Sequence, residues 1–194
     1  MRSKLIATLI GIMCLLAEPA FNLAFSESVE FDEFDPIFTE EHVESDEAPF
    51  LFKLGFTTDD WKFYNGLQMD NYVGFIKSDH QTINGVLTNA NLVVTPITGS
   101  ISDSIHISDE YLNSVFEEYE VIEKPRRGRF IKVKFNGKYM YMYQYIVQCI
   151  NENVEYTITI TCGDLDKLHE LRNEVHLVRN ERNLNDKELV LKFN

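Results

Sequence analysis

Asn136-Gly137 sits between two runs of alternating apolar residues, and this pair is the preferred two-residue hairpin turn because both positions accept positive φ at little cost. Phe130 to Phe135 is therefore expected as one strand and Lys138 to Ile150 as a long second strand. Asn151-Glu152-Asn153 turns the chain again, and Val154 to Cys162 returns, giving a three-stranded antiparallel meander. Across the first turn Phe135 should oppose Lys138 and Val133 should oppose Met140. Across a three-residue second turn Ile150 should oppose Val154 and Ile146 should oppose Ile158. One face then collects Ile131, Val133, Met140, Met142, Ile146 and Ile150 with Val154, Tyr156, Ile158 and Ile160, and is the expected core. The other collects Tyr139, Tyr141, Tyr143, Tyr145 and Val147 with Thr157, Thr159 and Thr161, an amphipathic face suited to cover by a helix or a partner.

The same register decides the cysteines. Cys149 and Cys162 invite a disulfide in an exported chain. With Cys149 opposite Glu155 and Cys162 opposite Met142, the thiols lie roughly 24 Å apart at about 3.4 Å per residue. A disulfide needs Cα atoms within about 7 Å, so two free thiols are expected.

Elsewhere the chain alternates in type. Phe50, Phe52, Leu54 and Phe56 have strand period, followed by a turn over residues 57–60 and Trp61 against the core. Tyr72 to Ser78 and Ala90 to Thr95 read as strands, separated by a polar loop holding Asn84 and Gly85. Ser108 followed by Asp109-Glu110 suggests a helix start, with Tyr111, Leu112, Val115, Phe116 and Tyr119 on one face. Strand Tyr119 to Glu123 follows. Asp164 caps a second helix whose stripe, Leu165, Leu168, Leu171, Arg172, Val175 and Val178, extends it to Val178. After a loop over residues 183–187, Glu188 to Phe193 suits a short terminal strand.

The N-terminal part has a different composition. Arg2 and Lys4 precede a 12-residue apolar run, Leu5 to Leu16, and Ala24-Phe25-Ser26 fits a cleavage site, so residues 1–26 read as a signal peptide. The run is too short for a bilayer core, which takes about 20 apolar residues, so the mature chain is expected not to be integral to a membrane. Of the formal charge of −13, ten negatives fall between Glu27 and Glu47, a stretch without Lys or Arg. Residues 27–48 thus read as a disordered acidic arm, with Phe31 and Phe34 interleaved as potential docking residues, and residues 49–194 as a single α+β domain. Net acidity argues against non-specific nucleic-acid binding, which rests on phosphate neutralisation by Lys and Arg.

No catalytic or phosphate-binding signature is present. His169, Asn173 and His176 at helical spacing, with Cys162 ahead of them, admit a zinc site or a thiol nucleophile in principle. Asp164 and Asp166 beside Cys162 oppose an activated thiolate, and two histidines on an exposed helix face are the plainer reading, so no metal, cofactor or catalytic residue is assigned. Arg126, Arg127 and Arg129, with Lys124, form the basic patch of the body and suit a phosphate or an acidic partner. Tyr139, Tyr141 and Tyr143 suit a binding platform, although such a row is more often sheet packing under a helix.

The element order resembles the PsbP-like fold, shared with DcrB-like envelope proteins. The similarity is carried by Phe50 to Phe56 with Trp61 after it, by residues 89–94 (Asn-Ala-Asn-Leu-Val-Val) and by Tyr111-Leu112. It continues in the strand Tyr156 to Cys162 running into the helix Asp164 to Val178. Leu177-Val178-Arg179-Asn180 and the tail beyond depart from that family's short apolar ending. The resemblance implies an α/β/α sandwich, a central antiparallel sheet flanked by helices, and binding or assembly roles without catalysis. It transfers no functional residue. The expected function is that of an exported, non-enzymatic binding or assembly protein, periplasmic or secreted, with another protein as partner. A small-ligand binder with a helix–sheet pocket is the alternative, and a cryptic thiol or metal-dependent hydrolase the third.

Overall fold

The computed structural model describes residues 52–64, 71–77, 82–179 and 191–193. Residues 1–26, read above as a signal peptide, residues 27–48 with Phe31 and Phe34, read as an acidic arm, and residues 183–187, read as a loop, lie outside these. Among the described residues no helix is long and apolar enough to cross a membrane.

Among the described residues twelve strands run in chain order: β1 (Phe52–Phe56), β2 (Trp61–Tyr64), β3 (Tyr72–Lys77), β4 (Thr82–Ile83), β5 (Val86–Leu87), β6 (Asn89–Pro96), β7 (Glu118–Glu123), β8 (Arg129–Phe135), β9 (Lys138–Cys149), β10 (Val154–Cys162), β11 (Val175–Arg179) and β12 (Leu191–Phe193). Among the same residues two α-helices join them, α1 (Ile101–Val115) and α2 (Leu165–Glu174). Seven strands make one antiparallel sheet in the order β2-β3-β6-β10-β9-β8-β7, with β12 alongside the far end of β9. β1 pairs with β11 as a separate two-stranded ribbon.

The α/β/α sandwich is therefore corrected. Strand accounts for 56% of the structure against 24% helix, and the large antiparallel sheet dominates it. The apolar stripe expected to extend the second helix to Val178 instead divides at Glu174. Val175 to Arg179 leaves the helix and pairs with β1, Phe56 opposite Val175 and Phe52 opposite Arg179. Valine at 175 and 178 favours this outcome, because β-branched side chains lose rotamer freedom in a helix and fit a pleated surface. One face of the sheet is thus covered jointly by α2 and a β-ribbon.

The first hairpin forms in the expected register, with Phe135 opposite Lys138 and Val133 opposite Met140. Asn136 (φ 49°) and Gly137 (φ 72°) supply its turn. The second hairpin is slipped by one position. Ile150 to Glu152 wind into a 3₁₀ turn and Asn153 takes the left-handed region (φ 55°), so Cys149 opposes Val154 and Tyr145 opposes Ile158. A one-residue slip exchanges the faces. Tyr143 and Val147 join Tyr156, Ile158 and Ile160 in the larger core, closed by Leu168 and Leu171 of α2 and by Phe52 and Leu54 of the ribbon. Met140 and Met142 sit on the opposite face with Ile131, Val133, Leu112 and Phe116, and Ile146 lies there too, beside Thr157. The tyrosine row is in good part core, and the face expected to be the core is the one under α1. Both thiols are free and fully buried on the α2 face. Cys162 lies opposite Tyr141 rather than Met142, eight residues along β9 and β10 from Cys149.

Helix ends follow their caps. α1 begins a full two turns before Ser108: Ser100 Oγ accepts from the Asp103 N–H at 3.2 Å and the Asp103 carboxylate accepts from the Ser100 N–H at 2.8 Å, a reciprocal capping box. Asp164 caps α2 as expected, accepting from the Lys167 N–H at 2.8 Å. At the other end of α2, Glu174 takes hydrogen bonds from Lys77 Nζ (2.6 Å) and Trp61 Nε1 (3.1 Å). This clasp ties α2 to β2 and β3, and it holds the buried Lys77 ammonium against a carboxylate.

Candidate functional site

Two places have the geometry to hold something else. The first is the end of the α2 face that α2 does not reach. Strand pairing sets residues there in rows: Glu118 opposite Lys134 and Lys134 opposite Tyr139, then Glu120 opposite Lys132 and Lys132 opposite Tyr141. Lys132 Nζ stands 4.3 Å above the Tyr139 ring, a cation–π contact, and Lys134 bonds Glu118 at 2.8 Å. Tyr139 also donates to Glu118 at 2.9 Å. These bonds hold the Glu118 carboxyl below, and the Lys134 ammonium above, its ordinary range. Tyr139 remains 39% exposed, one of two large hydrophobic residues so exposed among those described. One row further on, Tyr143 is buried under α2, with the Arg172 guanidinium 5.2 Å from its ring.

The second place lies under α1, where the slip lines the sheet with polar groups. Arg129, 3% exposed, donates from Nε and Nη2 to Gln144 Oε1 (3.0 and 2.6 Å) and from Nη1 to Asp109 on α1. Tyr119 donates to the same Asp109 oxygen, and burial together with this bond pushes its hydroxyl pKa up. With Oε1 occupied, Gln144 Nε2 donates to Ser108 Oγ at 3.2 Å. A second network lies one turn towards the helix start. Buried Glu155 accepts from Ser104 Oγ (2.6 Å) and Gln148 Nε2 (2.8 Å), and Gln148 also reaches the Gly99 carbonyl at 2.9 Å. Between the two networks is a cavity of 30 Å³, enough for about two water-sized atoms. Ser104, Ser108, Gln144, Glu155 and Thr157 form its polar side, and Val93, Ile107 and Ile146 its apolar side. Tyr111 also lines it, and the Tyr111 hydroxyl is buried with no hydrogen-bond partner. Desolvation pushes that hydroxyl up to about 12.

The residues singled out in the sequence are thus dispersed. Arg129 is a buried structural cation beneath α1 and is not available to a partner. Arg126 and Arg127 are exposed on the loop before β8. Tyr143 is core and bonds the Arg127 carbonyl at 2.9 Å, Tyr141 is half-buried against the edge of that core, and Tyr139 is exposed. Gly128 makes that loop contact: at φ 74° its Cα lies so close to β9 that a Cβ would meet the Gln144 carbonyl oxygen at 2.6 Å. Cys162, His169 and His176 do not converge. Cys162 is buried beside Thr88, His169 stacks on Phe130 at 4.2 Å and meets Glu123 at 3.2 Å, and His176 sits on β11. The Glu155, Gln144 and Ser108 networks escaped sequence reading because the register that gathers them depends on the second turn. The signal available was the count of polar residues in β10 and at 144 and 148, too many for a face left to solvent alone.

No protein-family model matches the chain, and no curated protein matches it.

Proposed function

We propose that this is an exported, non-enzymatic binding protein that engages another protein through the open end of its tyrosine face. One observation carries the reading: Tyr139 stands exposed and Tyr141 half-buried in line with Lys134 and Lys132, while the neighbouring Tyr143 is sealed in the core. Rigid strands fix these aromatic rings, so little side-chain entropy is lost on contact, and tyrosine is enriched where interfaces concentrate binding energy. Export rests on the N-terminal basic, apolar and small-residue pattern. A photoreactive residue replacing Tyr141 should crosslink to a partner protein in the native compartment, whereas the same residue replacing exposed Asn113 on α1 should not. Absence of any adduct from position 141, or the same adducts from both positions, defeats the reading.

The cavity beneath α1 favours a second reading, a small-ligand pocket between helix and sheet. Its 30 Å³ falls far short of the ~300 Å³ at which ordinary ligand pockets begin, so it suits only a very small group.

A further inference from the structure

We infer that the cavity beneath α1 binds a primary ammonium group on a short alkyl stem, such as a methylammonium ion or the tip of an inserted lysine side chain; this rests on the pocket reading above. Size is the first argument. A volume of 30 Å³ accepts about two non-hydrogen atoms, which a carbon and its amine nitrogen fill. Charge is the second. Glu155 is the one formally charged residue among those lining the cavity, so an anionic group is repelled and a cationic one attracted.

Hydrogen-bonding capacity is the third argument. An ammonium carries three donors and no acceptor, and the polar side offers the Glu155 carboxylate with the Ser104, Ser108 and Thr157 hydroxyl oxygens. Tyr111 also lines the cavity, 4% exposed, and its hydroxyl oxygen, which has no hydrogen-bond partner, is a further acceptor for an ammonium N–H. Leaving such a hydroxyl unbonded costs free energy that a ligand recovers. The apolar side, Val93, Ile107 and Ile146, matches the stem. Access is open, since Ser104, Ile107 and Thr157 are only half-buried at the rim between α1 and β10.

The test is a titration of the mature chain with methylammonium chloride, followed by amide NMR shifts at Ser104, Ser108 and Thr157 and at the Gln144 side-chain amide. Methanol and sodium chloride at matched concentrations are the controls. Two non-hydrogen atoms cannot be held tightly, so saturation is expected in the range of about 1–100 mM. Methanol should bind at least tenfold more weakly, and Glu155→Gln should weaken methylammonium at least tenfold. Tyr111→Phe, which removes one oxygen and keeps the ring, should weaken it about threefold and covers the case in which the Glu155 variant does not fold. Equal saturation by methanol and methylammonium overturns the ammonium assignment while leaving a ligand pocket in place. Shifts that do not saturate with either compound overturn the pocket itself.

Discussion

The two faces of the central sheet are closed by different chemistry. On the α2 face, Phe130, Tyr143, Val147, Tyr156, Ile158 and Ile160 meet Leu168 and Leu171 with hydrocarbon. On the α1 face an apolar patch around Met140, Met142 and Leu112 adjoins a stretch where Arg129, Gln144 and Glu155 bond the helix directly and Gln148 bonds Gly99 just before it. Burial of apolar area is tolerant of small shifts, whereas a hydrogen-bonded closure works only with every partner in place. The apolar face therefore carries most of the stability, and the polar face fixes where α1 lies.

The sharpest way to break this contrast is Phe130→Ala. Phe130 is fully buried on the α2 face, and its truncation should cost about 3–5 kcal/mol in urea unfolding; a loss below about 1 kcal/mol would place the main core elsewhere. Arg129→Ala comes next, at about 2–3 kcal/mol, because Asp109 and Gln144 lose the guanidinium, while Asp109 keeps the Tyr119 hydroxyl and is partly solvated. Pairing Arg129→Met with Asp109→Asn should restore at least half of that loss, and no restoration would mean that the contact is more than a buried pair. Gly128→Ala should cost about 2 kcal/mol from the left-handed backbone and the contact with β9. Ser100→Ala removes the α1 cap and should cost about 1 kcal/mol. Hydrogen exchange in that variant should quicken along α1 and leave β10 unchanged; quickening across the sheet would show that the faces are not separable.

A last effect is alkaline. Burial raises the Tyr111 and Tyr145 hydroxyls, one beneath each face, to about 12. A raised folded-state value gives stability that is whole below the unfolded value near 10 and is lost as pH climbs through 12. Absorbance at 295 nm should show these phenolates forming late, and stability should fall between pH 10 and 12. Ionisation of all tyrosines near pH 10 in the folded protein would remove this contribution.

Residues with a local cause were legible before the structure. Asn136-Gly137 fixed its hairpin because the turn needs positive φ at two successive positions, and Asp164 declared its helix by capping it. Asn84-Gly85 carries the same signal (φ 54° and 76°) and turns β4 into β5, where composition alone suggested a loop. Ser100 was obscured by the better-looking run after Ser108, although Asp103 completes a capping box there and Ser108 turns inward to Gln144. The slipped register was beyond local reasoning. Both faces of β9 are apolar enough to be buried, so alternation did not choose between them, and Ile150 resembles a strand residue yet lies 39% exposed in the turn. The candidate pocket inherits that dependence, since one residue more in the β9–β10 ladder would turn Glu155 to the other face.

The β1–β11 ribbon sets a schedule for folding. Phe56 cannot meet Val175 until nearly the whole domain has been synthesised, and closing so long a loop is entropically slow. The meander of β8, β9 and β10 needs only neighbours in sequence and can nucleate early. β1 thus stays without its strand partner until β11 has been made, and the edge of the α2 face that the ribbon covers closes long after the meander beneath it.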